Sequence, residues 1–391
     1  MRAGVVTTNA GLTVTRASDG YAETSDGTLV NFGSGVLRRT DRGVLVEGAR
    51  TNLILRSQTF TSSWSSSAAG YDSAITNNAT TAPDGTNTGN LFASQNLGGT
   101  GTAILAFLFS ATSGTTYTLS FFAKANTLSW ITLFNLAYGA NGHTYFDLGN
   151  GVIGNVAALN TATITPYANG WYRCSITFTA TVTGLGEMRA YVADGNNDTT
   201  ISRDGNTSIF IWGAQLEAAS FASSYIPTVA STVTRAADEV LVNPYTFPAP
   251  FSAYAEYVPG GNAASQNTAL SFAVATTNEQ VHIGKDVGGT NTNEAQLYVQ
   301  NAGDQAWIRH AAGTANVGAT VRQAVRVGAN DFASSVGGSA ALTDTSGTVP
   351  TMDRIRFGTD RGSTAFLFGY LRRAAIFPAA LTDAQLQGLT S

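Results

Sequence analysis

Flat aromatic rings flanked by amides, carboxylates or guanidinium groups are the side-chain pattern in this 391-residue chain that could do chemistry. Ring faces stack on the apolar C–H faces of pyranose sugars, while polar neighbours read the hydroxyls. Trp130, Tyr138 and Tyr145 flank Asn135, Asn141 and His143. Tyr191 precedes an oxygen-rich run, Asp194-Gly195-Asn196-Asn197-Asp198. Tyr298 comes shortly before Trp307-Ile308-Arg309-His310, where strand alternation puts Trp307 and Arg309 on one face and His310 on the other. Core packing competes for every one of these rings. Trp171 and Trp212 lie inside strands of the motifs described below and are assigned to the core. Trp307 is expected to face solvent, because Asp304, Gln305 and Arg309 surround it. Trp130 stays open between the two roles.

Other chemistries find fewer residues. Glycoside hydrolysis needs two carboxylates facing one sugar. No Glu-x-Asp-x-x-Glu run exists, and Glu256, Glu279 and Glu294 are scattered. Gln280-Val281-His282 matches the Gln-Ile/Val-His element of alginate-lyase-like sandwiches, but the Arg-Ser/Thr-Glu-Leu and Tyr-Phe-Lys-Ala-Gly strands that accompany it there are missing. Three distant histidines and one cysteine do not make a zinc site. Asp194, Asn196 and Asp198 could contribute oxygens to Ca²⁺, which takes six to eight; a hairpin loop is the alternative. No other cofactor is expected. Arg354 and Arg356 share a strand face, with Arg361, Arg372 and Arg373 beyond, a surface that could meet an anionic polysaccharide or simply be solvated.

The elements that must position these residues are strands. Charged residues make up only 12% of the chain, while hydrophobic residues reach 43% and glycines number 42, a composition of short strands joined by Gly, Asn, Asp and Ser turns. Tyr117, Leu119, Phe121 and Ala123 alternate on one face of such a strand. Strands recurring without helices between them predict an all-β chain of two antiparallel β-sandwiches, the first a jelly roll. The boundaries read as an extended N-terminal arm over 1–50, a jelly roll over 51–232, a linker over 233–250 and a second sandwich over 251–391. The one clear helix signal is terminal, where Thr382 and Gln385 form a capping box and Leu381 and Leu386 a hydrophobic staple. Val14-Thr15-Arg16-Ala17-Ser18-Asp19 echoes Val233-Thr234-Arg235-Ala236-Ala237-Asp238. Either the echo is chance, or the arm docks where the second copy lies.

A net charge of −4 argues against a general nucleic-acid binder. Cys174 is the only cysteine, so no internal disulfide forms, and its strand context predicts a buried thiol. The first residues lack an apolar signal core and no 18-residue apolar run exists, so membrane insertion is not expected. Synthesis in the cytoplasm is expected, with release inside a particle on lysis if the protein acts outside a cell.

Three motifs occur in a particular order. They are Gly43-Val44-Leu45-Val46-Glu47-Gly48-Ala49-Arg50-Thr51-Asn52-Leu53, then Gly170-Trp171-Tyr172-Arg173, then Trp212-Gly213-Ala214-Gln215-Leu216-Glu217 leading to Ser224-Tyr225-Ile226-Pro227-Thr228 and Thr234-Arg235-Ala236-Ala237-Asp238. In these the chain resembles phage tail or head fibre and spike proteins, including gene transfer agent head spikes. Tyr370 to Leu386 resembles the usual end of their second domain. The resemblance implies a carbohydrate-binding-module-like jelly roll followed by a concanavalin A-like (laminin G-like) sandwich. It implies a non-catalytic virion-surface protein that binds cell-surface or capsular polysaccharide. Its partners would be other virion structural proteins and copies of itself, a trimer if the protein is a fibre. None of its motifs carries a catalytic residue; a capsule-degrading lyase or glycosidase, or a decoration protein without a glycan ligand, are the alternatives.

Overall fold

The computed structural model describes residues 11–60, 62–65, 70–136, 142–261, 266–274, 279–286 and 293–391. Among the described residues the chain is all-β apart from one short 3₁₀ turn and one terminal helix, and it divides into two compact units.

One unit comprises 23–31 and 50–235 and contains two six-stranded sheets. The first runs in the order Val152–Ile153, Gly142–Asp147, Trp130–Leu136, Gly184–Ala193, Ile104–Ala111, Trp64–Ser65. The second runs Thr161–Pro166, Tyr172–Thr179, Thr116–Ala125, Ser208–Glu217, Gly89–Ser94, Ser73–Thr80. From Ile104 onward the chain steps back and forth between the sheets, and its neighbours pair antiparallel, which is a jelly-roll path. Alternation explains the core. Leu119 and Phe121 from one sheet meet Ile131, Leu133, Phe146 and Val192 from the other. Cys174, Trp171 and Trp212 are fully buried, and burial pushes the Cys174 thiol up.

The motif residues form a buried polar knot in this unit. Asn52 accepts the Ile54 and Leu216 N–H groups and donates to the Ala214 and Ile226 carbonyls. Glu217 accepts from Gln215, the Ser223 N–H and the Ser223 hydroxyl, and Arg173 donates to the Ser223 carbonyl at 2.6 Å. Buried polar groups must be paired, and these residues pair one another. The motifs therefore specify architecture.

The other unit comprises 11–22, 32–49 and 236–391 and contains two seven-stranded sheets. One is ordered Leu12–Thr15, Glu239–Val242, Arg354–Phe357, Asn267–Ala273, Gln280–Lys285, Ala295–Gln300, Asp304–Arg309. The other is ordered Leu342–Asp344, Asp331–Val336, Val321–Gly328, Phe251–Val258, Gly369–Phe377, Gly43–Val46, Arg39–Thr40. Phe251, Tyr257, Phe272, Ile283, Leu297 and Phe332 form the core between them. The helix Asp383–Thr390 begins at the expected capping box, with Leu386 buried against Tyr254, Ala324 and Ala333.

Two expectations are corrected. The described part of the N-terminal stretch is no separate arm, because it supplies an edge strand to one sheet and two strands to the other. The stretch 233–250 is no plain linker. Val233–Arg235 pairs with Arg50–Asn52 in the jelly roll, while Glu239–Val242 is a strand of the second sandwich. Both errors have one cause: alternation reveals which face a strand buries but not its neighbour in the sheet. The echo of hexapeptides does mark a docking place. Thr15 stands opposite Glu239, and Arg16 donates to Asp238 at 3.0 Å. Arg38 joins Asp238 and reaches Glu47 at 2.8 Å, so two arginines and two carboxylates balance inside the fold.

Candidate functional site

In the second sandwich, antiparallel register sets Tyr298 directly opposite Trp307 and Gln296 opposite Arg309, all on the outer face. Three of the ring-and-guanidinium candidates are thus brought together. Trp307 is 40% exposed, against complete burial for Trp171 and Trp212. Its Nε1 donates to Gln296 Oε1 at 3.0 Å, which fixes the ring plane. Tyr298 stands edge-on to it, 5.8 Å between centroids, and the Arg309 guanidinium lies 5.5 Å from the ring centre. Arg309 Nε donates to Glu294 Oε2 at 2.8 Å, and Gln296 Nε2 donates to the same carboxylate oxygen at 3.0 Å. That bond to Glu294 holds the Arg309 pKa above its ordinary value. The Tyr298 hydroxyl donates to Asp304. Partial burial and the Asp304 carboxylate push Tyr298 up to about 12. Gln280 and Gln300 continue the row of amides across the same sheet. The result is a fixed ring bordered by donors and acceptors, the equipment for stacking a sugar and reading its hydroxyls.

The strand Asp304–Arg309 alternates out and in as its flanking polar residues predict, so His310 falls inside, bonded to Ser334 Oγ at 2.9 Å. His282 is 1% exposed, its Nε2 lies 2.7 Å from Thr268 Oγ1, and burial lowers its pKa. That imidazole has no open side from which to meet a uronate.

The jelly roll carries a second aromatic face, on the outside of the sheet that contains Trp130–Leu136. Thr132 is flanked by Tyr145 and Tyr191 in register, and Phe134 by His143 and Arg189. Trp130, Tyr145 and Tyr191 therefore share this face. Tyr71, Phe134, Glu187 and Arg189 belong to it too and were not singled out from the sequence. Glu187, Arg189 and Tyr191 at alternate positions were the available signal. Tyr71 donates to Glu187 at 2.8 Å, and Arg189 bonds Glu187 and donates to the Tyr191 hydroxyl at 3.1 Å. Burial, then Arg189, lowers the His143 pKa.

This face is closed where the sequence suggested a platform. Tyr145 and Tyr191 are each only 5% exposed, so neither offers a ring face to a pyranose, a correction to their expected role. The backbone at Gly154 and Asn155 bonds to the Tyr145 backbone and continues the edge pairing there. Trp130 is half-buried, and a Cβ at Gly154 would stand 2.8 Å from its ring. Tyr138 lies outside the described residues.

The oxygen-rich loop is a tight turn. Asp194 N–H donates to the Asp198 carbonyl, Asn196 Oδ1 accepts the Asn155 N–H at 2.8 Å, and Asp198 Oδ1 accepts the Thr200 N–H at 2.8 Å. Ca²⁺ at this loop would compete with those N–H donors for Asn196 and Asp198. Among the described residues no group of three or more His, Cys, Asp or Glu side chains is placed to hold a metal ion.

No protein-family model matches the chain, and no curated protein matches it. Some solved structures are similar. The family 40 carbohydrate-binding module of the Ruminococcus gnavus IT-sialidase, bound to α2,3-sialyllactose, is 14% identical over 37% of this chain and 84% of its own, with a TM-score of 0.32. Domain 4 of AbnA, an extracellular arabinanase of Geobacillus stearothermophilus, in complex with arabinotriose, is 14% identical over 44% and 82%, at 0.31. Domains LG4–5 of the mouse laminin α1 chain are 11% identical over 71% and 88%, at 0.27. At TM-scores this low, what this chain binds has to be argued from its own residues.

Proposed function

We propose that the protein binds glycan at Trp307 on its second sandwich, without catalysis, and serves as an attachment protein on a phage-type particle. The observation that carries the binding reading is the Trp307 indole, 40% exposed yet held in place by Gln296 and bordered by Arg309 and Tyr298. A ring meant for the core would not be left open, and a ring left open by accident would not be pinned through its Nε1. The burial of His282 supports the non-catalytic reading over a lyase. The motif order supports the particle role: a virion-surface location, other virion structural proteins as neighbours, and a homo-oligomer, trimeric in a fibre. A shallow stacking site binds weakly, and multiple copies would supply avidity.

The test is binding of the purified full-length protein to immobilised glycans at several densities, beside Trp307→Ala. Loss of the stacked ring should weaken binding roughly three- to tenfold per site, more on a dense surface. Polysaccharide chain length should be unchanged after incubation. Shortened chains would make the protein an enzyme, and no retention at any density would leave it a structural component.

A further inference from the structure

We infer that the Trp307 platform selects uncharged glycans and that Glu294 sets this selectivity by occupying Arg309. The inference rests on the proposed binding role of Trp307. The arginine content of this sheet suggests the opposite, a cationic surface for an acidic polymer. The side-chain pairing removes that field. Arg309 is the cation nearest the ring, and its Nε is committed to Glu294 at 2.8 Å. Asp304 adds a second carboxylate, bonded to the Tyr298 hydroxyl. One guanidinium and two carboxylates thus border the indole.

Farther along the same outer face, Arg354 is held by both oxygens of Asp353 at 2.7 and 3.1 Å, and Arg356 by Glu239. A uronate or sialate carboxylate approaching Trp307 would meet Glu294 and Asp304 at like charge, and the Arg309 charge that would attract it is already offset by Glu294. A hydroxyl meets no such opposition. Carboxylate lone pairs, the Gln300 amide and the remaining guanidinium N–H groups suit vicinal hydroxyls, which both donate and accept. Glu294 is 8% exposed, so the guanidinium has a partner already in place before any ligand arrives.

The experiment uses full-length protein and three forms of it: unaltered, Trp307→Ala and Glu294→Gln. The probes are immobilised neutral oligosaccharides (β-glucan, α-glucan, arabinan and galactan fragments), oligogalacturonate and sialyl-oligosaccharides. Each is read between about 0.05 and 0.5 M NaCl, over which the screening length shrinks roughly threefold. Expected is binding of a neutral probe that Trp307→Ala loses and salt leaves unchanged. Glu294→Gln, isosteric but uncharged, should gain at least tenfold affinity for the acidic probes, and salt should remove the gain. Unaltered protein that prefers an acidic probe, with binding that falls as salt rises, overturns the inference while leaving glycan binding at Trp307 intact. Neutral binding with no gain in Glu294→Gln overturns the assignment to Glu294. No retention of any probe overturns both the inference and the binding reading beneath it.

Discussion

Two buried imidazoles make the second sandwich sensitive to acid. Burial holds His310 at about 4, below its ordinary 6.5, and lowers His282 in the same direction. Between those two pH values the unfolded chain binds protons that the folded chain refuses. The stability they contribute is therefore complete above about pH 6.5 and is lost progressively as pH falls toward 4. A depression of this size corresponds to about 3 kcal/mol for His310 at the acid end. Denaturant midpoints followed from pH 7.5 to 4.5 should fall, and His310→Gln, which keeps a partner for Ser334, should flatten the fall. An equally steep fall in the variant would place the sensitivity elsewhere. At this scale the sequence was legible wherever one neighbour decided exposure. Trp307 sits among Asp304, Gln305 and Arg309 and is open; Trp212 follows the apolar run Ile209-Phe210-Ile211 and is closed. Tyr145 and Tyr191 were misread because an outward-facing position can still be covered by its neighbours on the same face, here the His143 ring, 5.9 Å from Tyr145 and 5.0 Å from Tyr191, which alternation does not reveal.

The strand Leu12–Thr15 is held by more than its ladder. Its flanking Arg16 donates to Asp238, to the carbonyls of Ser18, Phe32, Val36 and Gly33, and is 3% exposed. Asp238 also accepts Arg38 and the Glu47 N–H. One carboxylate thus ties the edge strand and the strand Glu239–Val242 of one sheet to the segment before Gly43–Val46, a strand of the other sheet. Replacing Asp238 by Ala leaves two buried guanidinium groups short of a counter-charge, a change worth about 3–5 kcal/mol. Asp238→Ala should lower the unfolding midpoint of the second sandwich by that amount and speed hydrogen exchange of the Thr13 to Thr15 amides. Unchanged exchange there would mean the ladder alone fixes the edge. Strand existence and the capping box of Asp383–Thr390 were legible, since alternation and cap residues are local signals. The pairing of residue 12 with residue 242 was not, because nothing local encodes it; only the repeated Thr-Arg-Ala hinted at it.

The chain as a whole is one sandwich interrupted in sequence by another. The second sandwich takes its strands from 11–22, 32–49 and 236–391, so the segment 50–235 is a long insertion and 23–31 a short one. The insertion begins and ends on its own two-stranded ribbon, Arg50–Asn52 with Val233–Arg235, where the Thr51 and Thr234 hydroxyls meet at 2.8 Å. Within the interrupted sandwich the flanks also meet, because Asp238 N–H donates to the Glu47 carbonyl at 2.9 Å. Both units thus close on themselves at the junction, which is how insertions are accommodated without strain. The sandwich's ladders nevertheless span most of the chain, Val46 pairing with Gly369, so its final strand pairing must wait for synthesis to pass Phe377, a slow, high-contact-order step. Two altered chains test this arrangement. Replacing 50–235 by a short Gly-Ser linker should leave the second sandwich folded, with one cooperative transition and Trp307-dependent binding intact. Residues 236–391 alone lack the Leu12–Thr15 edge and the Gly43–Val46 strand, and they leave Asp238 without Arg16 and Arg38. That fragment should show no cooperative transition and should bind hydrophobic dye. A fragment that unfolds cooperatively at the full-length midpoint would show that the N-terminal strands decorate the sandwich and do not complete it.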